Sequence, residues 1–381
     1  MTSRQRVLIV YGTRPEAIKL APVVRSLQES PHLDVVVGVT GQHRAMLDQV
    51  DRLFGIVPDL DLDVIRPRQQ LHEMTGRILG GLTDAIRSVR PDAVLVQGDT
   101  TTSFVAALAA FYEQVPVLHV EAGLRTQQRY DPFPEEINRR LTSQLTALHL
   151  APTASARDNL LHDGIPAADV VVTGNTVIDA LLDVVGRRLP LHDPALAAMA
   201  HGPWVLVTSH RRESWGAPMA RSANAVARLA KEFPDVRFLV PAHLNPVVRE
   251  VLLPPLEGFD NIVVTAPLSY ADFAYAMAHS TLCLTDSGGV QEEAPSLGKP
   301  VLVLRETTER PEAVTAGTVR LVGTDEELIV REATRLLTDP VAYDAMARAV
   351  NPYGDGCAAA RVRAAVEAFF GRGERLPDWS S

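Results

Sequence analysis

Six short stretches of this sequence set acids, cations or glycines directly after apolar runs or at a helix start. Three of them carry carboxylates: Gln97-Gly98-Asp99-Thr100-Thr101-Thr102-Ser103, His119-Val120-Glu121-Ala122-Gly123 and Pro132-Phe133-Pro134-Glu135-Glu136. Asp99, Glu121 and Glu135 together suit abstraction of a proton from carbon and its return, because neighbouring carboxylates raise one another's pKa. Each also has an ordinary role open to it. Asp99 is placed as a helix N-cap, and Glu135 and Glu136 stand where a first helical turn favours negative charge. Glu121, directly after the apolar run VPVLHV, has little reason in packing to be there. His119 and Glu121 share one side of a strand, but no third ligand has the spacing of a metal site, so no metal is expected.

The other three stretches carry cations and glycines. In Gly12-Thr13-Arg14-Pro15-Glu16-Ala17-Ile18-Lys19, Arg14 and Lys19 flank a helix start opened by Pro15, which makes an anion site or a plain capped turn. The glycine spacing fits neither a P-loop nor a dinucleotide fingerprint. Thr208-Ser209-His210-Arg211-Arg212-Glu213 puts a histidine between a strand and two arginines, a donor and counter-charge for a leaving phosphate, or again a capped turn. Asp286-Ser287-Gly288-Gly289-Val290-Gln291-Glu292-Glu293 is the most specific. Ser-Gly-Gly at a helix start lets backbone N–H groups cradle a diphosphate, and Glu293, a turn later, can accept hydrogen bonds from two ribose hydroxyls. Downstream, Arg310 adds an anion partner.

Such residues need a frame that holds strand ends together. RVLIVYG, DVVVGVT, DAVLVQG, VPVLHV and VVVTG alternate with helical stretches such as Pro15–Glu29, Leu71–Val89 and Thr101–Glu113. The pattern restarts with WVLVTSH, RFLVPAH, NIVVTAP, TLCLTDS and PVLVLR. Near-continuous apolar runs predict parallel strands covered on both faces, hence an α/β protein of two doubly wound, Rossmann-like domains. We expect the first over 1–185, a linker over 186–203, the second over 204–355, and a final helix over 356–381 that packs back on the first. Ligands of open α/β sheets bind beyond the carboxyl ends of the strands, so the cleft between domains is the expected site.

Composition agrees. A chain of 381 residues, 46% hydrophobic and 22% charged, has the length for two domains and excludes disorder and coiled coil. The formal charge of −9 argues against nucleic acid or an anionic membrane as partner. Two cysteines, Cys283 and Cys357, without metal or redox spacing, and no signal peptide or membrane-length apolar run, point to a cytoplasmic protein. Only Lys19, Lys231 and Lys299 are lysines, so the one in the first anion cluster stands out.

Taken in order, GTRPEAIKLAP, GDTTT, HVEAGLRT, FPEEINRR, GNTVIDAL, HRRES, HLNPVVRE, TDSGGVQEEAPSLGKPVL, TTERPEAV and NPYGDG span nearly the whole chain. In this the sequence closely resembles the non-hydrolysing bacterial UDP-N-acetylglucosamine 2-epimerases. The resemblance implies the two-domain glycosyltransferase-B fold, a homodimer, no cofactor, and interconversion of UDP-GlcNAc and UDP-ManNAc for cell-surface polysaccharides. It implies elimination of UDP to a 2-acetamidoglucal and re-addition, with Asp99, Glu121 and Glu135 as acid/base groups and His210 near the leaving UDP. Arg14, Lys19, Ser287, Gly288, Gly289, Glu293 and Arg310 would hold UDP, with Phe273 beside the uracil. A second UDP-GlcNAc, bound as activator, would meet Gln42, Arg68, Glu136, Arg211 and His243.

Three positions depart from the family pattern: Ala45 replaces a polar residue near the activator, and Ala242 and Ser209 precede His243 and His210. Two further enzymes share these features, a glycosyltransferase using the Ser-Gly-Gly and Glu293 site, and a hydrolysing 2-epimerase releasing free sugar. A UDP-sugar sensor would bind without turnover.

Overall fold

The computed structural model describes residues 4–41, 44–64, 66, 69–199, 203–211 and 214–380, without the side chains of 44–46. The chain divides into two compact units, one running to Ala180 and including Tyr353–Ser380, the other covering Leu181–Pro352. Residues 186–203, read from the sequence as a linker, fall within the second unit.

The first unit begins with β1 (Gln5–Tyr11), α1 (Arg14–Gln28), β2 (Leu33–Val39), α2 (Arg44–Phe54), β3 (Leu60–Asp61) and α3 (Leu71–Val89). It continues through β4 (Ala93–Gln97), α4 (Thr101–Tyr112), β5 (Val117–Val120), α5 (Glu135–Leu145), β6 (Thr146–Ala151), α6 (Ala154–His162) and β7 (Val170–Val172). α7 (Thr176–Gly186) then carries the chain across the division.

The second unit holds a short α8 (Pro194–Ala198), then β8 (Trp204–Thr208), α9 (Ala217–Glu232), β9 (Arg237–Pro241), α10 (Pro246–Leu252) and β10 (Ile262–Thr265). α11 (Tyr270–His279), β11 (Leu282–Thr285), α12 (Gly288–Glu293), β12 (Val301–Val303), α13 (Pro311–Ala316) and β13 (Val319–Leu321) follow. α14 (Glu326–Thr338) and α15 (Pro340–Ala347) end it, and α16 (Ala358–Phe369) packs on α1 of the first unit.

Among the described residues the first sheet has the order β3-β2-β1-β4-β5-β6-β7 and the second β10-β9-β8-β11-β12-β13, with parallel pairing throughout. The apolar runs explain this: Val7–Tyr11 and Ala93–Val96 are fully buried, as central strands covered by helices on both faces must be. α4 buries the small side chains of Val105, Ala106, Ala107, Ala109 and Ala110, which lets it pack closely between α3 and α5.

Each sheet reverses its strand order once, between β1 and β4 in the first unit and between β8 and β11 in the second. Loops leaving adjacent strands there turn to opposite faces and leave a crevice at the carboxyl ends. The glycine-, acid- and cation-bearing motifs around Gly12, Asp99, His210 and Asp286 emerge at these two points.

Three strands have no counterpart among the ten apolar runs: β3, β6 and β13. β3 is two residues long and β13 three. β6 begins at the residue after α5 ends, so no turn residue marks the change of period. No helix of the described residues is long and apolar enough to cross a membrane.

Candidate active site

The first crevice is built around a buried glutamate. A side chain at Gly12 would put its Cβ 2.2 Å from Thr40 Oγ1 and 2.5 Å from Thr102 Oγ1, so only glycine fits as β1 ends. The chain then wraps back on Glu16, whose Oε2 accepts hydrogen bonds from the backbone N–H groups of Gly12 (3.1 Å) and Thr13 (2.8 Å). Its Oε1 accepts from Thr100 Oγ1 (2.7 Å) and Ser103 Oγ (3.1 Å), on the loop and helix after β4. Burial pushes the Glu16 carboxyl above the usual range, against the opposing pull of these donors. Glu16 therefore ties the loop before Lys19 to the loop that carries Asp99. The sequence reading passed over it, although Thr13-Arg14-Pro15-Glu16 has the form of a capping box.

Asp99 is not an N-cap. Thr100 caps α4, its side chain accepting from Ser103 N, while Asp99 Oδ2 accepts from the Arg139 guanidinium at 2.5 Å. Asn138 Nδ2 donates to the Asp99 carbonyl at 3.0 Å, so two successive residues of α5 hold this one. Glu135 starts that same helix. Its carboxyl is raised by burial and by the charge of Asp99, with Arg139 and its own backbone N–H acting the other way.

Glu121 sits at φ 61°, a left-handed conformation that side chains rarely adopt, and so turns sharply off the end of β5. Its Oε1 lies 2.5 Å from Lys19 Nζ, and Gln97 Nε2 donates to Oε2. Lys19, read from the sequence as a diphosphate ligand, is thus brought to an acid/base candidate. His119, fully buried on β5, is pushed down to about 4 by burial and stays neutral. Its Nε2 meets the Gly98 carbonyl at 2.7 Å, and since a carbonyl only accepts, Nε2 carries the proton. That bond steadies the turn before Asp99.

Arg14 is exposed in the first turn of α1. Glu136, expected at an activator, is fully buried: it accepts from Thr126 N (3.0 Å) and Arg140 Nε (2.8 Å) and lies 3.5 Å from Arg139. Burial alone would raise its carboxyl, but these partners hold it below the usual range. Gln42 and Arg68 lie outside the described residues, as does the side chain of Ala45.

The second crevice has the opposite character. Asp286, fully buried after β11, gathers the loop after β8: its Oδ2 accepts from His210 N (2.8 Å), Arg211 N (2.9 Å) and Ser209 Oγ (3.2 Å). The His210 ring is left exposed and stacks on His243 at 6.2 Å. A Cβ on Gly288 would lie 3.5 Å from an Arg211 nitrogen and 3.7 Å from one of Arg310, so two guanidinium groups converge on the start of α12. Arg310 is held from behind by Glu292, and Thr308 ties the same loop to α12 through Gln291 Oε1 at 2.6 Å. Arg211 also faces Glu309 at 3.8 Å. Hydrogen bonds from Arg305 outweigh burial at Glu309 and hold its carboxyl down at about 2.

Ser287 is the N-cap of α12, and Glu293 ends that helix, mostly buried, with Tyr270 donating to Oε2 at 3.4 Å. Oε1 of Glu293 stands 3.2 Å from where a Gly289 Cβ would be. Phe273 follows Tyr270 one turn along α11 and is half-buried. Tyr270 and Asp286 escaped the sequence reading: SYADF reads as an ordinary helix start, and an aspartate after a strand as an ordinary turn. Among the described residues no three His, Cys, Asp or Glu side chains gather as a metal site would require.

The two crevices supply different chemistry. One offers carboxylates in unlike environments, as acid/base work needs; the other offers guanidinium and backbone N–H groups, as a diphosphate needs.

A family model described as UDP-N-acetylglucosamine 2-epimerase matches residues 25–367. The UDP-N-acetylglucosamine 2-epimerase of Escherichia coli K12 is 52% identical over 369 residues, 95% of this chain and 98% of that one. The crystal structure of UDP-GlcNAc 2-epimerase from Neisseria meningitidis bound to UDP-GlcNAc is 47% identical and covers 96% of this chain and 100% of that one, with a TM-score of 0.86. The S. aureus MnaA–UDP structure is 44% identical, covers 99% and 100%, and has a TM-score of 0.88.

Proposed function

The chain belongs to the UDP-N-acetylglucosamine 2-epimerase family, and from that premise we propose that it reversibly converts UDP-GlcNAc to UDP-ManNAc without hydrolysis. The proton on carbon 2 of the sugar is not acidic, so its direct removal is too costly. Elimination avoids this. A carboxylate takes that proton, the electron pair left behind becomes the C1–C2 double bond, and the C1–O bond breaks so that UDP departs with the charge. A 2-acetamidoglucal and UDP remain bound. UDP then re-forms the bond to carbon 1 as a second carboxyl group delivers a proton to the other face of carbon 2.

The observation that carries this reading is the trio of carboxylates in the first crevice. Glu121 is ion-paired with Lys19 and Asp99 with Arg139, whereas Glu135 has its carboxyl raised beside Asp99. Groups whose environments differ in this way can act as donor and acceptor in one reaction. We assign the trio to carbon 2, and His210, Arg310 and the Ser287-Gly288-Gly289 backbone to the developing diphosphate charge. Arg14 and Lys19 complete the anion contacts, Glu293 takes the ribose, and Phe273 stands beside the uracil.

A second UDP-GlcNAc is proposed as activator, held by Arg211 and His243 with Gln42, Arg68 and Glu136. The resemblance further implies a cytoplasmic homodimer. Proton NMR in deuterated water tests the reaction: product and recovered substrate should both gain deuterium at carbon 2. Epimers that interconvert without exchange would refute elimination, and stoichiometric UDP plus free sugar would make the enzyme hydrolysing. Repeating the assay from UDP-ManNAc with and without added UDP-GlcNAc tests the activator.

A further inference from the structure

Asp286 carries more buried charge than its loop needs. Oδ2 already accepts three hydrogen bonds, from His210 N, Arg211 N and Ser209 Oγ, and these fix the path of the chain after β8. Oδ1 is buried too, and among the described residues it accepts none. A carboxylate oxygen taken out of water without a donor is costly, so its retention needs a reason. His210 Nδ1 lies 3.3 Å from it, a few tenths of an ångström beyond an ordinary N–H···O bond.

We propose that Asp286 is the positioning residue for His210: Oδ1 accepts from His210 Nδ1–H and so makes Nε2 the nitrogen presented to the diphosphate. The inference rests on the role assigned to His210 under the proposed reaction. Its logic is electrostatic. With Nδ1–H pointed at a buried carboxylate, a proton gained at Nε2 is stabilised by that charge, and the ring can donate to UDP as it departs. The other ring nearby cannot do this, because His243 Nδ1 accepts from Asn245 N. The His243 ring lies near-parallel to that of His210, with centroids 6.2 Å apart, and Asp286 selects the His210 tautomer.

Asp286→Asn separates positioning from loop support. The Oδ2 site receives three donors and must keep the amide oxygen, which forces the amide NH2 toward His210 Nδ1. Nδ1 then has to accept, and the tautomer inverts while the loop keeps its bonds. In protein with 15N-labelled histidine, long-range proton–nitrogen correlation at alkaline pH reads the neutral tautomer, with His210 assigned by the loss of its signals in His210→Gln. We expect Nδ1–H in the unsubstituted enzyme and Nε2–H in Asp286→Asn, together with a fall in kcat of about 100-fold and little change in KM.

An unsubstituted enzyme whose neutral His210 is Nε2–H overturns the proposal, as does an unchanged tautomer in the folded variant. Should the variant not fold, the first measurement still decides. The tautomer is read without substrate, so absence of epimerisation would remove the functional reading and leave this test standing.

Discussion

The two crevices stand at equivalent points of similar sheets, yet their charges are disposed in opposite ways. At the carboxyl ends of β1, β4 and β5 the acid/base candidates are held by cations from neighbouring elements: Lys19 from α1 on Glu121, Arg139 from α5 on Asp99. After β8 and β11 the carboxylates lie behind, Asp286 and Glu292 both buried, and His210, Arg211 and Arg310 are held forward. Topology thus provides two crevices, and the side chains decide that one gathers carboxylates in unlike environments while the other gathers guanidinium and backbone N–H groups.

The contrast breaks first at the carboxylates. Asp99→Asn, Glu121→Gln and Glu135→Gln should each lower kcat by about 10²–10⁴-fold while UDP still binds, as NMR kinetics and calorimetry would read. Near-normal rates in all three would erase the division of labour. In the second crevice the expected effect is on affinity. Arg310→Gln, which keeps a donor for Glu292, should weaken UDP binding by about 10–100-fold, the value of a charge-assisted contact. A loss confined to kcat would move Arg310 to the chemical step.

The glycines extend the comparison to stability. Gly12→Ala drives a methyl group into two buried threonine hydroxyls and should cost about 1–3 kcal/mol in denaturant unfolding. Gly288→Ala meets only the ends of two arginines at ordinary contact distance and should leave stability nearly unchanged, with UDP affinity reduced. Equal costs would mean that the arginines are as fixed as the threonines.

The smallest effect is a titration. Carbon-13 NMR should find the Glu135 carboxyl raised above its ordinary 4.5 by burial and by Asp99, and lower in Asp99→Asn, where that charge is gone and burial alone raises it. The sign for stability follows. A raised carboxyl favours the folded state below its unfolded value, and that contribution is lost as pH rises through the folded one. A midpoint at or below 4.5 would remove Glu135 from the acid/base trio.

Much of this was legible in the chain. Ten apolar runs became strands, because parallel strands buried on both faces leave an unbroken apolar signature. β6 left none, since α5 passes into it without a turn. Asp99, Glu121, Glu135, His210, Gly288 and Arg310 could be named because each follows a strand or opens a helix. Glu16 and Asp286 could not, because an acid near a helix start looks the same whether it caps, binds or anchors. Their roles depend on Thr100, Ser103, Ser209 and His210, up to 87 residues away in sequence for Glu16 and 77 for Asp286.

By itself, then, the sequence determined the α/β class, the two series of strands and the residue types at their ends, all of which are set by local periodicity and turn chemistry. Only the tertiary structure decided which partner each charge has. Lys19 with Glu121, Arg139 with Asp99 and Asp286 with the His210 loop are pairings across strands and helices. An ion pair is fixed by distance in space and by the water excluded around it, and neither is written in the spacing of residues along a chain.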